Sequence, residues 1–225
     1  ACGLDQACAE AHRINVSAAF FLSIEFQQTG NLVYKMNKAG FGNLAGKPVA
    51  VQRAPFIADT RRIGSTPNQI IVGVGDWPTQ LEANKQAFAL DFVQRPAFQS
   101  AHGGQTAAQF VDSLFANAGV TPTTAERDAA VAAFGAGGAA GQAAALRSVA
   151  DSGSVTSKTL NEAFVLMQYF GYLQRDPDAA PERNLNFDGF SFWLSKLEEF
   201  HGNFVAAEMV KAFLASDEYR HRFGQ

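Results

Sequence analysis

The stretch from Phe164 to Phe223 most constrains the fold of this chain, because it joins the densest aromatic content to helical spacing. It predicts a helix, a polar loop with a Pro-Asp turn, a second helix, and a third helix that ends in Ser216–Tyr219. Burying each ring in a core contributes roughly 1.5–3 kcal/mol. Weaker versions of these parts recur upstream at irregular intervals. The sequence therefore predicts an all-α fold of degenerate helical repeats.

The region near residues 43–78 is expected to hold long irregular loops around a short helix at Pro55–Arg62. Gln69–Gly75 (QIIVGVG) is the best strand candidate in the sequence. A lone strand has no partner, so we expect an extended loop or at most a minor hairpin near 69–75. Pro78 is favoured in a first helical turn, which predicts a helix beginning around Asp76.

Helix starts further along are marked by capping residues. Thr106 is predicted to cap a helix that ends at Gly119, and Thr123 with Glu126 has the spacing of a capping box.

Glycine content and capping residues predict one further helix start, and the chain is divided into three segments. The glycine-rich segment 135–141 is predicted to be flexible. Thr156 or Ser157 is predicted to cap the long apolar helix that follows. We expect three segments: N-terminal helical units with a truncated first repeat (1–100), a degenerate middle unit (101–153) and a C-terminal repeat (154–225).

Charge and motifs argue against several functional classes. The net charge is -3 and the basic residues are scattered, whereas a nucleic-acid surface needs a basic stripe. No apolar run is long enough to span a bilayer. Neither Gly-x-Ser-x-Gly nor His-Glu-x-x-His occurs, and the histidines show no motif. The sequence therefore predicts a protein that is not an enzyme and that does not bind nucleic acid. The isolated histidines are His12, His102, His201 and His221.

Cys2 and Cys8 are the two cysteines. In a continuous helix their Cα atoms would lie roughly 9 Å apart, too far for a bridge. If Gly3 breaks the helix, the two cysteines can close a small loop by a disulfide. The alternative is a pair of reduced thiols. A disulfide would favour a secreted protein.

Three strings in the last third carry a family resemblance: Phe170–Asp178 (FGYLQRDPD), Gly189–Trp193 (GFSFW) and Ser216–Tyr219 (SDEY). They resemble the repeat of domain of unknown function 4214, a family similar to phycobilisome linker domains. The likeness is strongest over about the last 60 residues. Segments 17–42 and 110–150 resemble degenerate copies that lack these signatures. The resemblance implies a helical protein exported by a bacterium, with no established catalysis.

The loop before the GFSFW string is a candidate calcium site. Its oxygen-bearing side chains have the opening spacing of a calcium loop, but the twelfth position is Ser195 rather than Glu. In the alternative, the first two acids form a turn around Pro177, and a later Asn or Asp caps the next helix. The candidate ligands are Asp176, Asp178, Asn184, Asn186 and Asp188.

Arg175 precedes two of these acids. We expect it to tie the loop to the helix through charge-assisted hydrogen bonds with Asp176 and Asp178. Trp193 is predicted to be a structural residue of the same loop.

The sequence favours a non-catalytic, extracellular structural module that self-associates into a filament, sheath or surface layer. Its partners would be copies of itself, its location outside a bacterial cell or on its surface, and its cofactors none unless calcium binds. The alternative is an adhesion module that binds a glycan or protein, with or without calcium. The residues predicted to mediate self-association are Phe20, Phe21, Phe26, Phe213, Tyr219 and Phe223.

Overall fold

The computed structural model describes Cys8 and residues 26–223. Within these residues there is no β-strand, which confirms the predicted all-α fold class. The described residues form eleven α-helices. They are α1 (Asn31–Phe41), α2 (Arg53–Ser65), α3 (Trp77–Gln94), α4 (Pro96–His102), α5 (Ala107–Ala118), α6 (Thr124–Phe134), α7 (Gly138–Ala150), α8 (Gly153–Gln168), α9 (Asp188–Glu199), α10 (Met209–Ala215) and α11 (Asp217–Phe223). Two π-helical turns, Phe26–Gly30 and Tyr169–Leu173, precede α1 and follow α8.

The chain divides into two compact units. One is formed by residues 28–160 and is called the helical unit here; the other contains residues 161–223 and is called the C-terminal unit. The division falls within α8. The predicted middle segment, 101–153, belongs to the same unit as residues 28–100.

Phenylalanine rings form the centre of the helical unit. Phe92, Phe98 and Phe110 are at most 1% exposed. Ring centroids lie 5.7 Å apart for Phe92 and Phe98 and 6.0 Å apart for Phe98 and Phe110. Helix α1 approaches these rings through Gly40, where a Cβ would lie 3.2 Å from the Phe98 ring. Plain aromatic rings suit this position because they bury large apolar area and leave no polar group to satisfy.

The capping residues begin helices where the sequence predicts. Thr106 forms a capping box with Gln109 at the start of α5, and Thr123 forms one with Glu126 at the start of α6. Helix α5 ends at Gly119, whose φ of 70° lies in the left-handed region that favours glycine. Local spacing alone therefore predicted these boundaries correctly.

The predicted start of α8 is wrong. The helix begins at Gly153, and the hydroxyl of Ser152 accepts a hydrogen bond from the backbone nitrogen of Val155 at 3.3 Å. Thr156 and Ser157 consequently lie inside the helix. The first turn extends further upstream because Glu126 accepts hydrogen bonds from Ser154.

Part of the glycine-rich segment 135–141 belongs to a helix. Helix α7 already begins at Gly138, so only three residues separate it from α6. Helices α6 and α7 pack closely at Gly141, where a Cβ would collide with the backbone oxygen of Phe134. Glycine at position 141 therefore serves the close packing of α6 and α7, and the flexibility of segment 135–141 stays a prediction.

An aromatic cluster forms the core of the C-terminal unit. Phe213 on α10 lies 5.2 Å from Tyr169 and 5.7 Å from Trp193, measured between ring centroids. Tyr172 lies 5.9 Å from Tyr219 on α11. This cluster joins the π-helical turn to α9, α10 and α11, as aromatic residues at helical spacing are expected to do.

Candidate functional site

The connection between α2 and α3 presents an apolar surface in the helical unit. Ile71, Val72 and Val74 are 57%, 37% and 59% exposed. We call residues 71–74 the apolar loop. The segment is a loop without a strand, as predicted, but residues 71–74 form a turn rather than an extended stretch. Three exposed β-branched residues within four positions differ from the single exposed apolar residues that are common on protein surfaces.

Asn84 holds the base of the apolar loop. This residue of α3 is 0% exposed. Its Nδ2 donates to the carbonyl oxygens of Ile63 and Asn68, both at 2.7 Å, and its Oδ1 accepts from the backbone nitrogen of Asn68 at 3.0 Å. Both amide hydrogens and the oxygen are therefore used. One buried carboxamide thus ties the end of α2 and the start of the loop to α3.

A tight turn closes the tip of the loop. The backbone nitrogen of Val74 donates to the carbonyl of Ile71 at 3.0 Å. Gly73, inside this turn, has a φ of +84°, which L side chains rarely adopt. The apolar side chains of this turn are exposed to solvent, while Asn84 holds the base of the loop.

The residues predicted for self-association have different environments in the structure. Phe213 is 4% exposed and belongs to the core of the C-terminal unit, so its ring is not presented to a partner. Tyr219 is half-buried, and Phe223 is 43% exposed with its ring centroid 4.8 Å from that of Tyr219. Phe20, Phe21 and the side chain of Phe26 lie outside the described residues.

Further exposed apolar side chains of the C-terminal unit were missed by the sequence analysis. Their residue types are common in cores, so composition gave no signal that the fold leaves them exposed. They are Leu185 (62% exposed), Phe192 (59%) and Val205 (65%).

Arg175 ties the loop of the C-terminal unit, but not through the expected carboxylates. Its Nε and Nη2 donate to the two carboxylate oxygens of Glu218 at 2.8 and 3.0 Å. Its Nη1 donates to the carbonyl oxygens of Asp176, Pro177 and Ala179 at 2.9–3.1 Å. The fork of the guanidinium can reach a carboxylate and the loop backbone together. The predicted loop-tying role is therefore present, with Glu218 as the carboxylate partner.

One aromatic ring lies against this ion pair, and a second aromatic residue packs elsewhere in the same unit. The guanidinium carbon of Arg175 lies 5.3 Å from the ring centroid of Tyr169. Burial raises the pKa of the Tyr169 phenol above its ordinary value. Trp193 is half-buried and packs on Phe213 rather than lying in the loop itself.

The candidate calcium residues form a local turn at one end of their loop. Nδ2 of Asn186 donates to the Asp188 carboxylate at 2.7 Å, and the backbone nitrogen of Asp188 donates to Oδ1 of Asn186 at 3.1 Å. Asp176, Asp178 and Asn184 lie earlier in the loop. Across residues 26–223 and Cys8, no group of three or more His, Cys, Asp or Glu side chains is placed to hold a metal ion. Calcium binding stays a prediction.

His102, one of the histidines without a motif, is 3% exposed. Its Nε2 lies 2.7 Å from the carbonyl oxygen of Gly40. A carbonyl only accepts, so Nε2 carries a proton and donates. The ring also packs against Phe98 in a tilted arrangement, with 4.5 Å between the centroids. His102 therefore joins α4 to the end of α1 as a core residue.

Cys8 is described and Cys2 is not, so the Cys2–Cys8 disulfide remains a prediction. In the described part of the chain, no helix combines the length and apolarity that crossing a bilayer requires.

Comparison with protein-family models, curated proteins and solved structures gives no match for this chain. The resemblance to domain of unknown function 4214 therefore stays a prediction as well.

Proposed function

We propose that this chain is a non-catalytic structural module that assembles with copies of itself through its apolar loop. The supporting observation is the exposure of Ile71, Val72 and Val74 on a base that buried Asn84 holds in place. An ordered apolar surface loses little conformational freedom when a partner covers it, which favours binding.

The apolar loop alone is too small to drive assembly. Full burial of a Val or Ile side chain contributes about 1.5–3 kcal/mol. Association costs roughly 4–15 kcal/mol in lost translational and rotational freedom. A stable contact therefore needs a larger apolar surface on the partner copy.

The C-terminal unit carries suitable apolar groups for that contact. Leu185, Phe192, Val205 and Phe223 are 43–65% exposed. We propose that the apolar loop of one copy packs against apolar groups of this unit in the next copy. When two different surfaces meet in each contact, one surface of each kind stays uncovered at the two ends of the assembly. Such contacts build open filaments when the rotation between successive copies does not close a ring. An extracellular location is part of this proposal and rests on the family resemblance.

Sedimentation velocity over a concentration series, with negative-stain electron microscopy, tests the proposal. The natural chain is expected to form large species and filaments as its concentration rises. The double substitution Ile71→Ser and Val74→Ser is expected to leave it monomeric with an unchanged melting temperature. The matched control is Leu90→Ser, which removes a 39% exposed leucine from α3 and should still assemble. A natural chain that stays monomeric, or a loop variant that assembles fully, would overturn the proposal.

A surface adhesion module is the second candidate function. One observation favours it, a glutamine-lined cavity in the helical unit.

A further inference from the structure

A cavity of about 470 Å³ opens in the helical unit. Its volume falls in the range of about 300–1,000 Å³ that is common for small-molecule sites. None of the residues that line it is ionisable. Its principal lining residues are four carboxamides, an aromatic ring and a glycine: Gln94, Gln99, Gln105, Gln142, Phe134 and Gly137.

We propose that this cavity binds a neutral sugar. The site is separate from the apolar loop, so the proposal does not depend on self-association.

The hydrogen bonds of Gln99 fix which carboxamide atoms remain for a ligand. Its Nε2 donates to the carbonyl oxygen of Val93 at 2.6 Å and to Oε1 of Gln142 at 2.8 Å. Because the Val93 carbonyl only accepts, the amide nitrogen of Gln99 must face it. Both hydrogens of that nitrogen are used, and Oε1 of Gln99 is left as an acceptor.

The same contacts orient Gln142. Its Oε1 faces Gln99, so its Nε2 points the other way and has no hydrogen-bond acceptor among the described residues. Gln142 is 9% exposed and lines the cavity. This nitrogen is accessible from the cavity, where a ligand can replace water as its hydrogen-bond partner. The cavity thus offers a donor on Gln142 and an acceptor on Gln99.

Hydroxyl groups match this pair of atoms. A hydroxyl donates one hydrogen bond and accepts others, so neighbouring sugar hydroxyls can serve both carboxamides. A charged ligand would lose its hydration in a site whose lining has no opposite charge, which is unfavourable. The chemistry therefore favours a polyhydroxylated, uncharged ligand.

The apolar wall comes from Phe134 and the turn that follows it. Phe134 is the last residue of α6 and is half-buried. A Cβ at Gly137 would lie 3.1 Å from Cε1 of the Phe134 ring, and the φ of Gly137 is +80°. Glycine therefore lets the turn pass close to the ring without a side chain. An aromatic wall with a few oriented polar groups is typical of small-molecule sites.

Saturation-transfer NMR and calorimetry with the full chain test this proposal. The probes are maltose, cellobiose, lactose and chitobiose, with glucuronate as the charged comparison. We expect at least one disaccharide to bind, and glucuronate to bind more weakly. Gln142→Met is expected to weaken that binding at least about tenfold, because it removes the donor that faces the ligand. Gln86→Met on α3 is the control, since Gln86 is exposed and does not line the cavity.

A second variant covers the case in which Gln142→Met does not fold. Gln94 is exposed at the end of α3, so Gln94→Met leaves the core intact and should weaken binding several-fold. The proposal is overturned if none of the four disaccharides binds, if Gln142→Met and Gln94→Met bind as the natural chain does, or if glucuronate binds best. Binding by the monomeric Ile71→Ser and Val74→Ser variant would show that the cavity acts independently of assembly.

Discussion

Oε1 of Glu126 accepts a hydrogen bond from the backbone nitrogen of Ser154 at 2.9 Å, and Oε2 accepts one from the Ser154 hydroxyl at 2.7 Å. The same carboxylate accepts from the backbone nitrogen and hydroxyl of Thr123 at 2.9 and 3.0 Å. One side chain therefore serves the first turns of α6 and α8. Glutamate suits this place because helix N-termini favour negative charge. These hydrogen bonds, led by that from the Ser154 hydroxyl, lower the pKa of Glu126 to about 2.

Glu126 is expected to make stability depend on pH in the acid range. Its pKa falls from an ordinary 4.5 to about 2 in the folded protein. The folded state therefore binds the proton less tightly than the unfolded state, and stability decreases as the pH falls from about 4.5 through about 2. Glu126→Gln should lower the melting temperature at neutral pH and flatten its decline between these two values.

Thermal unfolding at a series of pH values measures this effect. Asp128→Asn is the matched control, since Asp128 lies on the same helix and is exposed. It should reproduce the pH profile of the natural chain. An unchanged slope in Glu126→Gln would assign the acid sensitivity to other carboxylates.

The sequence predicts the hydrogen bonds of Glu126 with Thr123 but not those with Ser154. A threonine followed three residues later by glutamate is a recognisable capping box. The contact with Ser154 joins residues 28 positions apart, so it depends on how α6 and α8 meet. Arg175 shows the same limit: its loop was predicted correctly, but the fold supplies Glu218, 43 positions away, as its partner.

The candidate sites were harder to predict than the helices. The β-branched residues of the apolar loop were visible in the sequence as a strand candidate. The base of their loop is held by Asn84, which no spacing rule connects to them. The glutamines of the cavity are scattered between positions 94 and 142 and form no motif. Only the packing of several helices brings such side chains together.

Arg175→Lys is expected to destabilise the C-terminal unit although it keeps the charge. The Arg175 side chain is 9% exposed and that of Glu218 is 17% exposed. Lysine cannot reach two carboxylate oxygens and three carbonyls together, so buried acceptors lose their donors. We expect a loss of about 2 kcal/mol or more in the free energy of unfolding.

Denaturant unfolding followed by tryptophan fluorescence in a Trp77→Phe background, which leaves Trp193 of the same unit as the reporter, measures this loss. The control is Arg183→Lys, which changes an exposed arginine of the same loop. Equal stability of the two variants would contradict a structural role for the Arg175 fork.

Asn84→Ala is expected to loosen the base of the apolar loop. It removes the donor that serves the carbonyls of Ile63 and Asn68. Leaving such buried groups unpaired costs about 1–3 kcal/mol. Hydrogen exchange should therefore become faster at the amides of residues 66–76, while that of the C-terminal unit is unchanged. Gln86→Ala, on the same helix but exposed, should leave the exchange of this loop as it is. Unaltered exchange in Asn84→Ala would mean that other contacts hold the loop.

Gly141→Ala and Gly64→Ala are expected to change stability in opposite directions. Both glycines lie in helices, and alanine is favoured over glycine there by roughly 0.5–1 kcal/mol. A Cβ at Gly64 meets no atom within 4 Å, so Gly64→Ala should raise the melting temperature. A Cβ at Gly141 would collide with the backbone oxygen of Phe134. Backbone cannot rotate away as a side chain can, so α6 and α7 must separate, at a cost of about 1–3 kcal/mol or more. Calorimetry of the two variants measures both effects, and a Gly141→Ala protein as stable as Gly64→Ala would show that the two helices are not closely packed.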